Sequence, residues 1–104
     1  MSPPTEAALW AALEDVLDPE LGVDVVNLGL VYEIRVEGGA VSVLMTLTSL
    51  GCPAGPDIAK AVGDTLTALE GVESVSLDFT FDPPWSLDRL TEDGREQMII
   101  QGFI

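Results

Sequence analysis

At 104 residues, 47% of them hydrophobic, the chain has the size and the apolar material of one domain with its own core. Eighteen acidic against four basic residues give a formal charge of −14, a field that repels phosphate backbones and anionic lipid and so argues against nucleic acid and membrane as partners. Histidine is absent and cysteine occurs once, which removes imidazole acid–base chemistry, histidine zinc sites and any intramolecular disulfide. No apolar run reaches the about 18 residues of a membrane span, and the first residues lack the basic and apolar parts of a signal peptide. A cytoplasmic single domain over 1–104, with residues 1–4 as a flexible lead, is the expectation.

Thr5 is placed to cap a first helix, with Glu6 in its first turn. Leu9, Leu13, Val16 and Leu17 form its apolar stripe, and Asp18-Pro19 ends it, because the residue before proline avoids the helical region. Two alternating runs follow, Leu30–Glu37 and Val41–Thr48, around Gly38-Gly39, the pattern of an antiparallel hairpin. Ser49 to Pro56 is a turn into a second helix, whose buried stripe is Ile58, Val62, Leu66 and Leu69 and whose end is Gly71. A third strand runs from Val72 to about Phe81 and is broken by Asp82-Pro-Pro-Trp85. A last helix spans about Thr91 to Ile100, weakened by Gly94.

The order α-β-β-α-β-α predicts an α/β (two-layer α+β) fold: a three-stranded mixed sheet with the helices on one face, its second helix making a right-handed crossover. Alternation predicts Val43, Met45, Leu47, Val75, Leu77 and Phe79 inward, packed with Leu13, Val62 and Leu66. It places Val31, Leu44, Thr46, Thr48, Ser76 and Thr80 on the outer face.

Cys52 is the first candidate for chemistry. It stands just before Pro53 at a predicted helix start, where free N–H groups and the helix dipole stabilise a thiolate, the form that attacks or binds metal. A small buried hydrophobe is the plain alternative. Thr46 and Thr48 share a predicted strand face and could line the same mouth, although threonine suits any exposed strand. Asp18 and Glu20 could hold a metal ion or orient a proton, although Asp-Pro is ordinary turn chemistry. Trp85 is either a cap on the core or an anchor for a partner.

Asp18-Pro-Glu-Leu-Gly22, Asn27-Leu-Gly-Leu-Val-Tyr32, Met45-Thr-Leu-Thr-Ser49, Gly51-Cys-Pro53, Gly71-Val-Glu73 and Asp82-Pro-Pro-Trp85, in this order, resemble the metal–sulfur cluster biosynthesis family. This is the iron–sulfur assembly domain family with SufT-like and PaaD-like members. The likeness runs from about residue 7 to 100; Leu50 and Gly94 are small departures. It implies the same fold, a role in maturing iron–sulfur proteins, and site roles for Asp18, Glu20, Thr46, Thr48 and Cys52. It also implies the assembly machinery and client apoproteins as partners. A stable cluster usually takes four cysteine ligands, and one chain offers one. The expectation is therefore no permanent cofactor but a transient cluster or iron at Cys52, with a homodimer able to bring a second thiol. On this reading the protein is a carrier or assembly factor rather than a turnover enzyme.

Other readings stay open beside it. One is a PaaD-like accessory of phenylacetate degradation. Another is a thiol enzyme, disfavoured by the missing histidine base. The third is an interaction module that docks through Trp85 and the outer sheet face. If Cys52 is a working centre, it, Thr48 and the Asp18–Glu20 turn should converge in space.

Overall fold

The computed structural model of the protein describes residues 3–48 and 54–102. The elements are α1 (Glu6–Leu13), β1 (Val31–Glu37), β2 (Ala40–Met45), α2 (Gly55–Thr67), β3 (Ser74–Phe79), a short 3-10 turn (Leu87–Arg89) and α3 (Glu92–Ile100). The strands form one sheet in the order β1-β2-β3, antiparallel between the first two and parallel between the last two. The expected α+β architecture and element order are therefore present, with α2 as the crossover.

β2 is central and sets the register. Val41, Val43 and Met45 face the core and stand opposite Val36, Ile34 and Val31 of β1 and Val75, Leu77 and Phe79 of β3. Below them lie Leu9 and Leu13 of α1 and Ile58, Val62 and Leu66 of α2, all fully or nearly fully buried. The other face is polar: Ser42 and Ser76 stand opposite each other with their hydroxyls 3.1 Å apart.

Several expectations shift, each for a local reason. The first helix stops at Leu13 instead of running to Leu17: Val16 N–H bonds the Leu13 carbonyl in a tight turn, and Leu17 swings out to 55% exposure while bridging Asp24. A bulge between Val31 and Glu33 inserts Tyr32 as an extra residue, which turns Val31 inward although strict alternation put it outward. Thr46, also expected outward, is wholly buried, because β2 ends at Met45 and the Thr46 N–H crosses to the Leu30 carbonyl at 2.8 Å. Phe79, expected in the core, is 38% exposed, and Val75 and Leu77 are only half-buried. β3 is an edge strand shorter than expected, with one strand neighbour and α2 as its helix partner.

Nor do all the helices cover the sheet. α1 and α2 do, whereas α3 packs on the loop that connects α1 to β1. Thr91 caps α3, its hydroxyl accepting from Gly94 N–H at 3.0 Å. Gly94 does not simply weaken this helix. It is buried against the Asn27 backbone, and a Cβ there would overlap the Asn27 carbonyl oxygen; the modest loss of helix propensity is accepted for a close approach.

Candidate functional site

The Asp18 turn is built by its own side chain. Asp18 Oδ1 accepts from Glu20 N–H at 2.8 Å and Leu21 N–H at 3.3 Å, while the Asp18 carbonyl accepts from Gly22 N–H at 2.8 Å. Proline at 19 cannot donate, so the carboxylate reaches past it to the next two amides. Asp18 is 2% exposed and Glu20 is open to solvent. The two carboxylates thus differ in work: Asp18 shapes the turn and Glu20 is displayed by it.

Behind this turn the chain from Val23 to Leu30 makes several of the long-range polar contacts among the described residues. Asp18 N–H donates to the Val23 carbonyl and Val25 N–H to the Val16 carbonyl, both at 2.9 Å. Buried Asp24 accepts from Asn27 N–H at 3.0 Å and from the Asn27 side-chain amide at 2.7 Å. The Leu30 carbonyl takes the Thr46 N–H, so the same loop joins the Asp18 turn to the end of β2. Thr46 Oγ1 is turned toward the Leu47 carbonyl at 3.4 Å rather than toward solvent, whereas Thr48 is half-buried. Leu47 packs against Gly55 at the start of α2.

Of the residues expected at the site, Asp18 and Glu20 share one turn, and Thr46 is linked to it through the 23–30 loop. No side-chain hydrogen bond joins Thr46 or Thr48 to Asp18 or Glu20 among the described residues. Of the turn expected over Ser49–Pro56, Ser49–Pro53 with Cys52 lies outside the described residues, and α2 starts at Gly55 with Ala54 as its N-cap, later than the start expected at Pro53. Among the described residues no group of three acidic or cysteine side chains is arranged to hold a metal ion, and no helix is long and apolar enough to cross a membrane.

Trp85 is half-buried against the core, its Nε1–H donating to the Leu28 carbonyl at 2.6 Å. That geometry is core capping. Beside it Tyr32 donates its hydroxyl to the Pro83 carbonyl at 2.7 Å, and Arg89 lies 4.3 Å above the Tyr32 ring. Trp85→Phe keeps the aromatic packing and leaves the Leu28 carbonyl without its donor; a loss of about 1–2 kcal/mol in urea unfolding is expected. Sequence reasoning missed Asp24 as a buried carboxylate. The available signal was the spacing Asp24-x-x-Asn27, the pattern of a side chain capping an amide three residues on.

The model of a family described as iron–sulfur cluster assembly protein matches residues 6–77, well over half of the chain. The chain belongs to that family. The chain is 43% identical over 94 residues to the Fe–S protein maturation auxiliary factor YitW of Bacillus subtilis, covering 89% of this chain and 92% of that protein. It is 44% identical over 77 residues to the maturation auxiliary factor SufT of Staphylococcus aureus, covering 73% and 88%. Among solved structures, a domain of unknown function from Bacillus anthracis superposes with a TM-score of 0.87 at 40% identity, covering 91% and 92% of the two chains. A weaker match, 31% identical over 99 residues, is to an Escherichia coli protein provisionally named as a component of a 1,2-phenylacetyl-CoA epoxidase; it covers 94% of this chain and 59% of that protein. As a member of the iron–sulfur assembly family, the chain has the fold that its sequence resemblance implied.

Proposed function

We propose that the protein is a helper in the maturation of iron–sulfur proteins, with Cys52 as the thiol that transiently holds metal, cluster or a partner's sulfur. The observation that carries this reading is the match, over most of both chains, to proteins named as maturation auxiliary factors. The cluster is cargo here. A single cysteine supplies too few ligands to retain one, so a hand-over needs ligands from the assembly machinery, the client apoprotein or a second copy of this chain. The exposed Glu20 carboxylate and Thr48 are the other groups assigned to the mouth, with Asp18 holding the turn in shape. A PaaD-like accessory role is the second reading, favoured by the weaker match to the epoxidase component; the chain spans little more than half of that protein.

The test is genetic and enzymatic. In a host lacking its own auxiliary factor, aconitase-type activity should fall and return when this chain is expressed. Unchanged aconitase-type activity in the deletion strain, together with a growth defect confined to phenylacetate, would replace the first reading with the second.

A further inference from the structure

α3 does not serve the sheet, and its contacts show what it serves. Its N-terminal end is fastened at Asn27. Thr91 N–H donates to the Asn27 carbonyl at 3.0 Å, and the Thr91 hydroxyl donates to Asn27 Oδ1 at 2.6 Å. Gly94 lies directly on the Asn27 backbone. The other end reaches the carboxylate turn: the Gln101 side-chain amide sits against Gly22, where a Cβ would stand 3.1 Å from Gln101 Oε1. The helix therefore spans the 22–27 loop from Asn27 to the Asp18–Gly22 turn. Asn27 is the joint, since its main-chain and side-chain N–H groups also bind Asp24. All of α3 lies after residue 77, where the match to the family model ends.

We propose that Asn27 is a positioning residue, which through Thr91 seats α3 as a clamp that fixes the Asp18–Glu20 turn. The proposal rests on the reading of that turn as part of the functional centre. Alone, the turn is held by two amides on one carboxylate oxygen and two main-chain bonds. Such short exposed loops open readily. With α3 seated, Gln101 covers Gly22 and the polar groups of buried Asp24 and half-buried Asn27 are all paired, so the displayed Glu20 keeps one direction.

The test is hydrogen exchange on the full chain, read at the Glu20 and Leu21 amides that Asp18 binds. Asn27→Ala and Thr91→Ala should each speed exchange there about tenfold or more, while Ile34 and Val43 in the sheet stay as in the unmodified protein. Thr91→Ser, which keeps the hydroxyl, should restore protection. Gln101→Ala, on the exposed end of the helix, gives the same readout should Asn27→Ala fold poorly. Complementation of aconitase-type activity should fall in the two alanine variants and return with Thr91→Ser. Unchanged exchange at Glu20 and Leu21, or full complementation despite fast exchange, would overturn the proposal. Failure of the unmodified chain to complement would instead count against the maturation role, with the exchange data still deciding the clamp.

Discussion

Gly29→Ala should cost about 3 kcal/mol or more and lower the thermal midpoint by about 10–25 °C. Gly29 has φ +75°, where an L side chain costs roughly 1–2 kcal/mol. The remainder is steric. A Cβ on Gly29 would overlap the Arg89 carbonyl oxygen and lie 2.8 Å from its carbonyl carbon. Both are backbone atoms, so no rotamer change relieves the overlap. The Leu87–Arg89 turn must move, and with it the Arg89 stack on Tyr32. Gly38→Ala is the control: its φ is +60° with nothing within 4 Å, so it should lose only the backbone cost, about 1–2 kcal/mol. Calorimetry of both variants separates the two contributions. A Gly29→Ala midpoint no lower than that of Gly38→Ala would mean that the 87–89 turn yields freely.

Cys52→Ser should abolish the ability to restore iron–sulfur enzyme activity while changing unfolding stability by less than about 1 kcal/mol. Serine is nearly the same size as cysteine. Its hydroxyl does not ionise near neutral pH, whereas the thiolate of a cysteine is both nucleophile and metal ligand. The measurements are thermal unfolding of both forms and aconitase-type activity in a deletion strain carrying each, with protein levels checked by immunoblot. Full activity with the serine form would take the thiol out of the mechanism. A collapse in folding would make Cys52 a core residue, as free cysteines often are.

The hairpin around Gly38-Gly39 and the α2 stripe were legible because each depends on a strict local period that burial enforces. The errors fall where a distant contact overrides that period. Val31 and Thr46 flank the place where the loop from Val23 to Leu30 joins the sheet; the bulge at Tyr32 and the Thr46–Leu30 bond are tertiary events with no period of their own. Phe79 obeys the alternation but sits on an edge, and strand order is not written in alternation. Gly94 looked like a defect because helix propensity is local, whereas the Asn27 carbonyl it accommodates is far off in sequence. At the site, the Asp18 turn was readable from Asp-Pro chemistry. Asp24 offered only the Asp24-x-x-Asn27 spacing, which points to a capped amide but does not say that the carboxylate is buried.

The bonds that join the 23–30 loop to the C-terminal segment also set an order of events during synthesis. Trp85 to Leu28 spans 57 positions and Thr91 to Asn27 spans 64. A nascent chain that has made the hairpin therefore still carries the two Asn27 oxygens and the Leu28 carbonyl without their partners. From the end of β2 at Met45, at about 5–20 residues per second, translation needs about 2–9 s to supply them. During that interval the loop has water in place of its partners, and the last turn of the ribosome's work, rather than the closing of the sheet, completes the carboxylate end of the molecule.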